Sequence, residues 1–122
     1  MKDFEGKVVY ITGGSSGIGL AFAKLMAAKG AVVIIFARRR QALDEALKEV
    51  SASGGAAGRK HACIVMDVAD REQVKSVLAG AVAEYGVPDV LVNCAGRAIP
   101  RYFEDVSYEQ FDETLKVDLY GT

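Results

Sequence analysis

Between the apolar run Val8-Val9-Tyr10-Ile11 and the helix-like run Leu20 to Lys29 lies Thr12-Gly13-Gly14-Ser15-Ser16-Gly17-Ile18-Gly19. A glycine-rich turn placed there joins a buried strand to a helix, and few architectures use one. Gly13 permits a sharp exit from the strand. Gly17 removes the side chain that would obstruct a pyrophosphate, and Gly19 lets the helix pack closely on the sheet. Backbone N–H groups at the helix start then face an anion, which gains from unpaired donors and from the positive end of the helix dipole. The Ser15 and Ser16 hydroxyls beside Ile18 add further donors. A plain structural turn is the alternative reading, and the strand-to-helix context is what favours a nucleotide. No Gly-Lys-Ser/Thr ending follows, so a Walker-type triphosphate site is not supported.

The alternation of apolar runs and helical periods continues along the chain. Lys7 to Thr12 is the first strand, continuously apolar as suits a sheet covered on both faces. The helix after the turn puts Ile18, Ala21, Phe22, Leu25 and Met26 on one stripe and ends at Gly30. Ala31 to Ala37 is the second strand, set parallel to the first by the crossover between them. Gln41 to Ser53 reads as a helix with Leu43, Ala46, Leu47 and Val50 inward, and His61 to Val68 as the third strand. Asp70-Arg71-Glu72-Gln73 is a capping box ahead of a helix in which Val74, Val77, Leu78, Ala81, Val82 and Tyr85 recur, stopped by Gly86 and Pro88. Val90 to Asn93 is the fourth strand. A second capping box, Ser107-Tyr108-Glu109-Gln110, opens a helix through Phe111 and Leu115. The expected fold is α/β, a Rossmann-type doubly wound parallel sheet in three α/β/α layers with strand order 3-2-1-4. Its nucleotide would lie across the carboxyl edge beside strand 1.

Several residues fall on that edge. A site preferring NAD usually carries Asp or Glu after the second strand, to bind the ribose 2′-hydroxyl. This chain has Arg38-Arg39-Arg40 there. A guanidinium clamps a 2′-phosphate that a carboxylate would repel, so the exchange argues for NADP(H), with Arg38 the first choice and Arg39 the second. The bland reading, three arginines solvating a helix start, is opposed by the unfavourable helix dipole. Met66-Asp67-Val68 closes the third strand, where Asp67 either accepts from the adenine amino group or serves as a turn residue. Asn93 can brace neighbouring backbone, and Ala95 and Gly96 leave room for a ribose or nicotinamide; a simple strand-end turn is the alternative. His61 sits at the opposite end of its strand and reads as a surface residue without a catalytic role.

Composition narrows the field further. The 122 residues are 51% hydrophobic with a net charge of −1, which fits one domain with a core and gives no general case for nucleic acid or an anionic membrane. No run of about 18 apolar residues occurs, the first six residues lack an apolar leader, and a cytoplasmic location follows by default. Cys63 and Cys94 match no metal spacing and read as reduced thiols. Asp118 shares a helical stripe with Phe111, and a carboxylate placed there needs partners. The chain stops at Thr122 without a cap or polar tail, so the expectation is that residues 1–122 are the N-terminal part of a longer chain.

Taken together, the Thr-Gly-x-x-x-Gly-x-Gly spacing, Met66-Asp67-Val68, Asn93-Cys94-Ala95-Gly96 and Val117-Asp118-Leu119-Tyr120-Gly121-Thr122 resemble the short-chain dehydrogenase/reductase family over the whole chain. Within it, Ala37-Arg38, Val92-Asn93-Cys94-Ala95-Gly96 and Tyr102-Phe103-Glu104-Asp105 are similar to 3-ketodihydrosphingosine reductases. The resemblance implies hydride transfer between a nicotinamide and a ketone or secondary alcohol, a long-chain ketone in that subfamily, and a homo-oligomer for the full-length protein. In the family a tyrosine gives the proton and a lysine four residues later lowers its pKa. Here Tyr10, Tyr85, Tyr102 and Tyr108 are followed at that distance by Gly14, Asp89, Val106 and Asp112, which places the catalytic pair after Thr122. Asp118 stands where the family commonly has an asparagine organising a water beside the lysine; it keeps hydrogen-bonding capacity and adds a negative charge. The reading from another class is a sensor module that binds the cofactor without chemistry. A flavodoxin-like domain is disfavoured by the glycine turn.

Overall fold

Apolar runs too short for helices, separated by helices that each carry one apolar stripe, can bury both strand faces only by stacking helices on either side of a sheet. The computed structural model, which describes residues 4–54, 60–95, 107, 109, 112 and 116, has that arrangement. In order the elements are β1 (Val8–Thr12), α1 (Gly17–Ala28), β2 (Val32–Ala37), α2 (Arg40–Gly54), β3 (Ala62–Val65), α3 (Arg71–Tyr85) and β4 (Val90–Asn93). The four strands are parallel in the order β3-β2-β1-β4, as expected. Thr12 lies opposite both Phe36 and Asn93, which brings the carboxyl ends of β1, β2 and β4 level.

Alternate side chains of each strand enter two cores. Val9, Ile11, Val33 and Ile35 pack with Ala23 and Met26 of α1 and Leu43, Ala46 and Val50 of α2. On the other face Tyr10, Ile34 and Phe36 meet α3 through Ala81, flanked by the partly buried Val74, Val77 and Leu78. Two residues on β4 show the same alternation: Val92 packs on the first core, while Leu91 is 56% exposed.

The buried stripe of α1 differs from the one periodicity gives. Gly19, Ala23, Met26 and Ala27 face inward, whereas Ile18 is 83% exposed and Leu25 is also exposed. Size, not hydropathy, decides this. The helix start lies so close to the glycine turn that only the smallest residues fit beneath it, and the four-residue spacing of Gly19, Ala23 and Ala27 puts them on one line. In α2, Leu43, Ala46 and Val50 are buried as expected and Leu47 is half-buried. β3 is shorter than expected: Met66 N–H still donates to the Ala37 carbonyl at 2.8 Å, but β2 ends there and the chain turns at residues 68–69 toward α3.

His61 also departs from expectation, since it is half-buried and its Nδ1 accepts from the Val33 N–H at 3.0 Å. Register pairs Ile34 with Ala62, so the imidazole extends the ladder by one residue at its amino end. It remains far from the carboxyl edge.

Tyr10 anchors the second core. Its ring lies 5.3 Å from that of Phe36, and its hydroxyl donates to the Gly86 carbonyl at 2.6 Å. Burial pushes its phenol above the ordinary value of 10.0. The neutral form is thus favoured in the folded state, so the stabilisation is complete below pH 10 and is lost as pH rises through the folded pKa. Tyr10→Phe is expected to cost about 1 kcal/mol at neutral pH. It should also flatten the alkaline loss of stability; urea unfolding at neutral and alkaline pH with equal losses in both proteins would contradict this.

Candidate functional site

The turn after β1 is held from both sides. Gly13 and Gly14 N–H donate to the Phe36 carbonyl at 2.8 and 3.4 Å, which ties the turn to β2. Thr12 does the same toward β4: its carbonyl accepts from Cys94 N–H at 3.0 Å and its Oγ1 accepts from Ala95 N–H at 3.4 Å. Thr12 is buried, and sequence reasoning had given it no role of its own. Its signal was there, as the one hydroxyl at the end of an apolar strand.

Each glycine meets a different demand. Gly13 has φ +69°, and a Cβ there would stand 2.7 Å from the backbone of Cys94 and Ala95. A side chain at Gly19 would collide with the Gly13 carbonyl oxygen. Gly17 has nothing within 4 Å of where its Cβ would be, so the space above it is open. The helix beginning there is uncapped. Ser16 is extended, at φ −161° and ψ 169°, and makes no side-chain capping bond. The first-turn amides of α1 thus have no bond from the Ser16 side chain, and the positive end of the helix dipole lies beside that open space.

A cleft of about 370 Å³ runs from this turn along the carboxyl edge. Of the residues expected from sequence, Gly13, Ser15, Ser16, Gly17, Ile18 and Gly19 line it at the centre. Arg38 and Arg39 line it beyond β2, Asp67 and Val68 beyond β3, and Ala95 beyond β4. Asn93 is exposed and is not among the lining residues. Gly96 and Asp118 lie outside the described residues. Phe36, Ala37, Met66 and Cys94 also line the cleft, placed there as neighbours of chosen residues without a polar signal of their own.

Electrostatics divide the three arginines. Arg40 Nε is 3.5 Å from Asp44 Oδ1, a pairing one helical turn along α2. Arg38 and Arg39 make no ion pair among the described residues and are exposed at the cleft. Asp67 has the turn role considered for it and also lies where a ligand could reach it. Its Oδ1 accepts from Ala69 N–H at 3.0 Å, a turn-forming bond, yet the carboxylate lies on the cleft wall. The thiol outside the cleft, Cys63, is pushed up in pKa by burial and by nearby Asp44, partly offset by Arg40. Its Sγ lies 3.7 Å from Asp44 Oδ1.

An uncapped helix start, a glycine turn too tight for side chains and a cleft with two guanidinium groups at one end together fit a phosphate-rich dinucleotide. The family model described as short chain dehydrogenase matches residues 7–122. The chain belongs to the short-chain dehydrogenase family. It is 38% identical over 119 residues to a 3-dehydrosphinganine reductase of Danio rerio, covering 97% of this chain and 36% of that protein. It is 39% identical over 117 residues to a 3-oxoacyl-acyl-carrier-protein reductase of Thermotoga maritima, covering 96% and 46%. The L-sorbose reductase of Gluconobacter frateurii, solved with NADPH and L-sorbose, superposes with a TM-score of 0.87 at 31% identity, over 98% of this chain and 44% of that one. The chain thus spans less than half the length of these relatives. Among the described residues of this family member, no helix is long and apolar enough to cross a membrane.

Proposed function

We propose that this chain is the cofactor-holding, N-terminal part of an NADP(H)-dependent reductase acting on a ketone or secondary alcohol. The observation that carries the reading is the pair of guanidinium groups, Arg38 and Arg39, which make no ion pair among the described residues and line the cleft beside a helix N-terminus that Ser16 leaves without a side-chain cap. The amides of Gly17, Ile18 and Gly19 and the hydroxyls of Ser15 and Ser16 hold the pyrophosphate. Arg38 receives the 2′-phosphate, with Arg39 as its second donor. Asp67 accepts from the adenine amino group, and Val68 walls the base. Asn93 braces the neighbouring backbone, and Ala95 and Gly96, with little or no side chain, leave room for a ribose or nicotinamide. Asp118, outside the described residues, keeps the capacity to hydrogen-bond beside the proton-donating residues but adds a negative charge there. When bound, the nicotinamide supplies the hydride that reduces the carbonyl carbon. This chain's residues orient and desolvate it.

Two of the relatives support the substrate class proposed here. Their names specify a ketone on the third carbon of a chain in both the zebrafish and the Thermotoga enzymes. 3-Dehydrosphinganine is the ketone also called 3-ketodihydrosphingosine, and a long-chain 3-ketone is the substrate proposed here. The full-length protein should consume NADPH in the presence of such a ketone and do so much more slowly with NADH. Tight NADPH binding with no loss of NADPH absorbance on any ketone would instead make the protein a cofactor-sensing module.

A further inference from the structure

Four hydrogen bonds tie the wall of the cleft to the first turn of α3. Asp67 N–H donates to Gln73 Oε1, and Ala69 N–H donates to Asp67 Oδ1 at 3.0 Å. Asp70 N–H donates to the Asp67 carbonyl at 3.0 Å, and Gln73 N–H donates to Asp70 Oδ1 at 3.1 Å. An ordinary capping box turns the side chain of the third helical residue back onto the cap's own N–H. Here that N–H is already taken by the Asp67 carbonyl, and the Gln73 amide reaches three residues further to the Asp67 N–H. Asp67 is consequently held at its N–H, its carbonyl and Oδ1. Its Oδ2 makes no hydrogen bond among the described residues, on a side chain that lines the cleft.

From this closed ring we infer that Gln73 is a positioning residue which, through the Asp67 N–H, sets the aim of the Asp67 carboxylate at the nucleotide's base. The inference rests on the cofactor reading above and adds to it the residue that sets base specificity. Gln73 is not among the lining residues of the cleft, so it acts only through Asp67. A helix cap alone would need the Asp70 side chain and the Gln73 N–H; it would not need the Gln73 side chain to leave the helix. Adenine offers a 6-amino donor to a carboxylate, whereas hypoxanthine offers a 6-oxo acceptor that repels it. The ratio of affinities for NADPH and its hypoxanthine analogue therefore reports how well Asp67 is aimed, independently of the phosphate contacts.

The test compares wild type, Gln73→Leu and Gln73→Glu by titration with both dinucleotides, together with hydrogen exchange at the Asp67 amide. Gln73→Leu should lower the adenine-to-hypoxanthine ratio about fivefold, the effect of one lost hydrogen bond, and speed exchange at Asp67. Gln73→Glu keeps an acceptor of the same reach and should retain both the ratio and the protection. Equal weakening of both dinucleotides in Gln73→Leu, as from a loosened fold, would overturn the inference, as would an unchanged ratio or a Gln73→Glu variant that behaves like Gln73→Leu. Wild-type protein that binds neither dinucleotide overturns the cofactor reading as well. Wild-type discrimination that survives in Gln73→Leu overturns this inference alone.

Discussion

Gly19→Ala is expected to weaken NADPH binding by about a hundredfold, the effect of losing one or two charge-assisted hydrogen bonds of about 1.5–3 kcal/mol each. The added methyl would overlap the Gly13 carbonyl oxygen and lie 3.2 Å from the Cys94 Cβ. Neither obstacle can swing away, because Gly13 N–H is bonded to Phe36 and Cys94 N–H to Thr12. The helix start must retreat, and with it the amides proposed to hold the pyrophosphate. Overpacking of this kind costs about 1–3 kcal/mol of stability as well. Gly80→Ala supplies the contrast. Its Cβ meets nothing within 4 Å in the interior of α3, so it should gain up to about 1 kcal/mol of helix stability and leave binding unchanged. Thermal melting and NADPH titration of both variants check the pair. Undiminished binding by Gly19→Ala would mean that the turn is not a phosphate cradle.

The second large effect is at Arg38. Arg38→Asp replaces a donor with a carboxylate at the place where a 2′-phosphate would sit, so NADPH loses a charge-assisted contact and meets repulsion. Each such hydrogen bond contributes about 1.5–3 kcal/mol, and the NADPH affinity is expected to fall roughly a hundredfold. NADH, with only a 2′-hydroxyl, should bind at least as well as before, because the new carboxylate can accept from it. Since Arg38 is exposed, the wild-type preference should shrink as salt is raised. Arg40→Asp should change the preference far less, its guanidinium being drawn to Asp44.

Much of this was legible in the chain. Four apolar runs and the crossovers between them gave parallel strands with the first two adjacent, while the place of the fourth beside the first came from the doubly wound pattern that the glycine turn suggested. What sequence could not give was proximity. The stripe on α1 was misplaced onto Ile18 and Leu25 because periodicity weighs hydropathy, while the tight approach at Gly19 selects small side chains. Polar groups acting across long separations were missed for the same reason. Thr12 bonds to Ala95, and His61 bonds to a backbone amide on a different strand. Gln73 was read as part of a capping box, and only the folded turn shows its amide passing the cap to reach Asp67.

The central claim is that the start of α1 and the guanidinium groups after β2 together hold a dinucleotide bearing a 2′-phosphate. Titration calorimetry of the folded wild-type protein with NADPH and with NADH, at one fixed low ionic strength, tests it most directly. The expected result is saturable heat with both and an affinity for NADPH about two orders of magnitude higher, as two charge-assisted contacts would give. Equal affinities would contradict the role given to Arg38 and Arg39, and no heat with either would contradict the claim entirely.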